Sequence, residues 1–156
     1  MELFQESLEK AKRNIYIADH MLLVTYPLVK DTKLLLAVIE NIFLGYTNAM
    51  SAVLHYERNL KLIPPFQNNF ESKFNMFRQR CIYKYKIDKN YVLEIQDIKD
   101  IIIGHKKSPV EFVRKDRFVI CSDNYKLRTI NLQEIRKYLN KAKLFIWKIA
   151  NIISKK

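Results

Sequence analysis

TKLLLAVIENIFLGYTNAMSAVLHYERNLKLI, residues 32–63, is the stretch whose reading decides the fold. Asp31 and Thr32 can accept hydrogen bonds from the orphan N–H groups of a helix start, and Pro64-Pro65 forbids continuation at the other end. The spacing predicts one helix over 32–63, about 48 Å long at 1.5 Å per residue, with a bend near Gly45. A helix apolar on most sides belongs at the centre of a bundle. Residues 34–56 are also long enough for a membrane span, which takes about 20 predominantly apolar residues. Glu40, Asn41, Thr47, Asn48, Ser51 and His55 interrupt them, so a buried central helix is the better reading and no membrane partner is expected. Asn41, Asn48, Ser51, His55 and Asn59 share one stripe, because steps of seven return to nearly the same angle. A solvated edge is expected there in preference to a buried polar network.

Elements on either side follow from periodicity. Phe4, Leu8, Ala11, Ile15, Ala18 and Leu22 step by four and three, which is one face of a first helix that Pro27 should break. Asn68 with Glu71 resembles a capping box for a third helix, whose apolar stripe would be Phe70, Phe74, Phe77, Cys81 and Tyr85. Asn90 can cap a fourth helix, with Leu93, Ile98, Ile101 and Ile102 apolar and Gly104 placed for a left-handed end before His105, Lys106 and Lys107. From Pro109 onward, β-branched and aromatic runs separated by Lys115-Asp116 and Ser122-Asp123-Asn124 predict strands and turns. Asn131 with Glu134 caps a last helix on which Leu132, Ile135, Leu139, Ala142, Ile146, Ile149 and Ile153 form the stripe, opposite Lys137, Lys141 and Lys148.

The expected fold is mainly α: an antiparallel bundle of about five helices with a small β-hairpin or three-stranded meander before the last helix. Residues 1–156 read as a single domain. It divides into a neutral helical hairpin (1–65), basic helices (66–108), the β-hairpin (109–131) and a C-terminal helix (132–154).

Charge separates these parts. Residues 1–65 carry seven Lys/Arg and seven Asp/Glu, whereas residues 66–156 carry 21 and nine, so the whole net charge of +12 lies in the C-terminal part. An anionic partner follows, nucleic acid first (RNA or a ribonucleoprotein) and membrane headgroups second, with a lysine-rich solvated face as the alternative. With two glycines and no Gly-rich fingerprint, a backbone cradle for nucleotide phosphates is disfavoured. Three histidines, at 20, 55 and 105, without HxxxH or HExxH spacing, predict no metal site, and no cofactor is expected. Cys81 lies on an apolar helical stripe and Cys121 ends an apolar strand, so both read as structural. The absence of CxxC and of a secretory apolar region favours a reducing, cytoplasmic setting.

The candidate nucleic-acid surface is FRQRCIYKYK, residues 77–86, where Arg78, Arg80, Lys84 and Lys86 alternate with Tyr83 and Tyr85. Cations of this kind hold a phosphate path while aromatic faces accept unstacked bases. The strand region adds Arg114, Lys115, Arg117, Lys126 and Arg128. One continuous surface requires the third helix, the hairpin and the last helix to be neighbours. Against this stands an ordinary reading, tyrosines in the core and cations in solvent.

Arg13, Asn14 and His20, in RNIYIADH, form the remaining candidate. An arginine followed by a polar residue, then a histidine a few residues on, within a helical hairpin, resembles the HEPN superfamily of small helical-bundle proteins. That resemblance implies a dimeric, metal-independent RNA-cleaving enzyme or an RNA-associated module. His20 would transfer the proton at the scissile 2′-hydroxyl, Arg13 would stabilise the phosphorane, and Asn14 would orient substrate or partner. Arg13 and His20 point away from the Leu8–Leu22 stripe, so a site there needs a second subunit of a homodimer, with Ile17 and Met21 supplying apolar contact. Whether the chain cleaves RNA, or is a non-enzymatic protein that docks on a ribonucleoprotein or another protein, stays open at this level.

Overall fold

The computed structural model describes residues 1–107, 112–114, 117–121 and 127–154. In α1 (Leu3–His20), Leu8, Ala11, Ile15 and Ala18 are the buried face, as the 3–4 spacing requires. The helical path does not break at Pro27. It continues through a π-turn, Met21–Thr25, into the short α2, Tyr26–Val29, which has Pro27 at its first turn. Proline has no N–H to donate and its ring crowds the preceding turn, and the wide π-turn that leads into it accommodates both. The path ends only at Lys30, in left-handed geometry with φ 54°.

The predicted central helix is α3, Lys33–Asn59, whose first turn is capped by Asp31 Oδ1 accepting from the Lys33 N–H at 3.0 Å. It stops four residues before the expected position, at 59 rather than 63. Beyond Leu60, Lys61 adopts φ 60°, its N–H donates to Arg58 O, and the Leu62 N–H donates back to Glu57 O at 3.0 Å. That pair of bonds is a Schellman ending. By length and composition α3 could cross a membrane, and half of its most apolar window is buried against the rest of the bundle.

No bend appears as a helix break at Gly45. A Cβ there would fall 2.7 Å from Ile15 Cδ1 and 2.9 Å from Ile15 Cγ1, so this glycine lets α1 and α3 approach closely.

The polar stripe of α3 is not a solvated edge along its length. Asn41 Nδ2 donates to Ala37 O at 2.9 Å and lies 3.9 Å from Met21 Sδ. Asn48 Nδ2 donates to Asn14 Oδ1 at 2.8 Å, buried Ser51 bonds Thr47 O, and the His55 ring packs on Phe66. Only Asn59 is exposed. Packing of α1 and of the 60–69 segment over this stripe, which a helical wheel does not contain, accounts for the difference.

The third helix, α4 (Phe70–Arg80), begins one residue later than expected. Asn69, rather than Asn68, caps it by accepting from the Ser72 N–H at 2.8 Å. It ends at Arg80, short of the predicted Tyr85, and Cys81–Lys86 continue as successive turns. A second Schellman ending closes them, with Lys86 at φ 54° and the Ile87 N–H donating to Ile82 O at 3.0 Å. Asp88 then accepts from the Asn90 N–H (2.9 Å) to start α5, Asn90–Lys107. Gly104 lies inside this helix rather than ending it. Leu93, expected in the core, is exposed, and Ile95 is buried with Ile98 and Ile101.

The meander is β1 (Phe112–Arg114), β2 (Arg117–Cys121) and β3 (Leu127–Asn131), antiparallel in the order β1-β2-β3, with Arg114 opposite Arg117 and Val119 opposite Thr129. Asn131 Oδ1 accepts from the Glu134 N–H at 2.9 Å, the predicted cap of α6, Leu132–Ser154.

The whole is a mainly α helical bundle with one continuous apolar core running from Leu8 to Ile152. Phe145 of α6 is its hub. The rings of Tyr46 (α3), Phe77 (α4) and Tyr91 (α5) lie with centroids 5.0, 5.7 and 5.2 Å from it. Three helices therefore converge on one side chain of a fourth, and that fixes where the outer face of α6 meets the turns before α5.

Candidate nucleic-acid interface

The residues of RNIYIADH divide between two environments. Arg13 and His20 are exposed, with Tyr16 stacked on the His20 ring at 6.4 Å between centroids. Asn14, one position from Arg13, is turned towards α3 and holds Asn48. Asp19 pairs with Lys143 of α6. Met21, expected beside Ile17 on an outward apolar face, is half-buried against Asn41 instead. Tyr16 and Ile17 stay exposed, and so are Leu23, Val24, Leu28 and Val29 farther along the same helical path.

FRQRCIYKYK also divides. Cys81 and Ile82 are buried, and burial, with Glu57 adding to it, pushes the Cys81 thiol up to about 12. Tyr85 and Lys84 converge on Glu57, which is 1% exposed: the Tyr85 hydroxyl donates to Oε1, and Lys84 Nζ lies 2.8 Å from Oε1 and 2.9 Å from Oε2. Burial, then the Glu57 hydrogen bond, raises the Tyr85 hydroxyl above its ordinary range. These two residues fasten the turn to α3, so Tyr85 is no open stacking face. Arg78, Arg80, Tyr83 and Lys86 are exposed and lie outside this cluster. Arg78 lies over the Phe74 ring and donates to Asn75 Oδ1 at 2.7 Å, and the Lys89 ammonium sits 5.1 Å above the Tyr83 ring.

In the strand region Arg128 is structural. Its guanidinium makes a two-pronged contact with Asp97 at 2.7 and 2.9 Å, and Nη2 donates to the Tyr138 hydroxyl at 3.1 Å. The Arg128 bond holds the Asp97 carboxyl below the usual carboxylate range against the effect of burial. The backbones of Arg114 and Arg117 face each other across β1 and β2, while Lys115 and Lys126 lie outside the described residues. The sheet packs on α5 and α6, and α4 packs on α3. Of the basic side chains named from the sequence, Lys84 and Arg128 are engaged by buried or half-buried carboxylates, Glu57 and Asp97.

Sequence periodicity passed over the groove where α6 meets the turn before α5. Lys86, Ile87, Asp88, Tyr91, Leu144, Trp147 and Lys148 line an open groove of about 250 Å³. Trp147, the chain's single tryptophan, is 66% exposed. The available signal was its position. Trp147 lies off the stripe Leu139, Ala142, Ile146, Ile149, directly beside Lys148, on a face otherwise read as lysine-rich solvent contact. Asp88 is the carboxylate of the lining, and its Oδ1 is engaged in capping α5. Lys86 and Lys148 make no ion pair among the described residues.

A second, polar groove of about 350 Å³ lies between α5 and α6, lined by Asn90, Leu93, Glu94, Asp97 and Lys141. Burial raises the Glu94 carboxyl above its ordinary value, and the Lys141 hydrogen bond at 3.2 Å opposes that shift. Among the described residues no three His, Cys, Asp or Glu side chains are grouped to hold a metal ion. No family model, curated protein or solved structure matches the chain.

Proposed function

We propose that this protein binds RNA through the end of the bundle formed by the Cys81–Lys89 turns and the outer face of α6. The observation that carries the reading is the exposure of two aromatic rings among cations: Tyr83, 77% exposed under Lys89, and Trp147, 66% exposed in a groove that Lys86 and Lys148 also line. Large aromatic rings normally lie at least partly buried, so exposed ones on a surface of net positive charge call for a planar, anionic ligand. The +12 excess confined to residues 66–156 supplies the long-range attraction. The test is retention of RNA measured against salt. Affinity should fall steeply as salt rises, because each phosphate contact releases counterions. Binding that is absent at low salt refutes the reading and leaves a non-enzymatic protein-docking role.

Metal-independent cleavage is a second reading, supported by the joint exposure of Arg13 and His20 on one face of α1 beside Tyr16 and Ile17. Asn14 does not share that face, so its part is to hold α1 on α3. RNA cleavage in the presence of a chelator, abolished by His20→Ala and by Arg13→Ala with folding intact, would establish it. Equal cleavage by both variants and wild type would remove it.

A further inference from the structure

We propose that the groove beneath Trp147 seats one unpaired nucleobase, stacked on the indole, with its flanking phosphates held by Lys86 and Lys148. The proposal rests on the RNA-binding reading above and narrows it to single-stranded or bulged RNA. Three observations support it.

The groove, about 250 Å³, lies just below the usual size range of small-molecule sites, roughly 300–1,000 Å³, and so suits one planar heterocycle. Its wall is preorganised. Tyr91 is anchored on Phe145, and the Lys86 backbone is set by its left-handed geometry and by the Ile87-to-Ile82 bond that ends the preceding turns. Binding therefore has to order side chains but not the backbone that carries them.

The charge pattern also fits. Lys86 and Lys148 stand on separate elements at the groove, while Asp88 points to its own helix start. A base in a duplex is already stacked on its neighbours, and its face is not available to an indole, whereas an unpaired base offers one. Leu144 adds apolar contact at the edge. Tyr83, with Lys89 over its ring, provides a second platform for a neighbouring base.

Because Trp147 is the only tryptophan, intrinsic fluorescence reports this groove directly. A short oligouridylate and a blunt RNA duplex of the same length are titrated into the full chain, with binding followed in parallel by anisotropy of labelled RNA. The expected result is saturable quenching by the single strand and not by the duplex. In anisotropy, Trp147→Ala should weaken single-strand binding at least about fivefold, the lower end of what one stacked base contributes, and Trp147→Phe should restore most of it. Lys86→Ala and Lys148→Ala should each lower the salt slope by about one. Trp147 is exposed, so these variants keep the helical circular dichroism of the parent. Salt-dependent anisotropy with unchanged fluorescence and full binding by Trp147→Ala overturns the groove while leaving RNA binding elsewhere on the surface. Equal quenching by the duplex also overturns it. Failure of either RNA to bind at low salt overturns the RNA-binding reading itself, and the groove with it.

Discussion

Replacing Lys84 with methionine should destabilise this protein more than removing the acid it serves. Glu57 is 1% exposed, and its carboxylate is held by the Tyr85 hydroxyl and the Lys84 ammonium. Lys84→Met keeps the aliphatic stem and removes the cation, so a buried negative charge is left with one hydroxyl. Breaking a buried pair from this side costs about 3–5 kcal/mol. Glu57→Gln works in the opposite direction. The amide still accepts from Tyr85, and Lys84, whose side chain is 43% exposed, can turn to water, so the loss should be about 1 kcal/mol. For a chain of this size each kcal/mol moves Tm by about 2–4 °C. Lys84→Met should therefore lower Tm by about 6–20 °C and Glu57→Gln by a few degrees.

Combining Lys84→Met with Glu57→Met should recover much of the loss, since both charges then leave together. Thermal and urea unfolding of the four proteins, followed by helical circular dichroism, provides the measurement. Lys84→Met within about 1 kcal/mol of wild type, or a double variant no better than Lys84→Met, would refute the reasoning.

Other outcomes follow from single features of the structure. With Cys121→Ser in the background, Cys81 should resist a thiol reagent in the folded protein at pH 8 and react fully in denaturant, because its thiol is buried and pushed up to about 12; rapid labelling of the folded form would contradict this. Burial first, and Lys73 second, lower the His55 pKa from 6.5. The unfolded chain then binds the proton more readily, so the stability due to neutral His55 is complete above pH 6.5 and is lost as pH falls through the lower folded value. His55→Gln should flatten the decline of Tm between pH 6.5 and 5, and an unchanged slope would count against it. Lys61→Gly should stabilise by about 1 kcal/mol, since φ 60° costs a lysine what it does not cost glycine; a loss of Tm would show that the Lys61 side chain contributes more than its backbone geometry costs.

The fold was legible where one period dominated. The stripe Leu8, Ala11, Ile15, Ala18, Leu22 and the Asn131 cap of α6 appear where the sequence places them. Boundaries were less legible, because the chain uses lysines where glycine is usual. Lys30, Lys61 and Lys86 carry the left-handed turns, and a lysine gives no sign of that in sequence. Pro27 misled in the other direction, since a π-turn leads into it. In the candidate site, alternation of cations and tyrosines drew attention to residues 77–86. It could not tell Tyr83, which faces solvent, from Tyr85, which meets a carboxylate 28 residues earlier on α3.

Composition and periodicity by themselves determined a helical bundle around residues 32–63 and a positive charge confined to the C-terminal part, because both are sums or repeats along one chain. Which cations remain available was decided only in three dimensions. Arg128 is taken up by Asp97, Lys84 by Glu57 and Lys143 by Asp19, each partner coming from a distant element. The groove at Trp147 was likewise decided by packing. It exists because three helices converge on Phe145 of a fourth, and that brings the end of one turn, Lys86, against the outer face of α6, more than fifty residues further along the sequence.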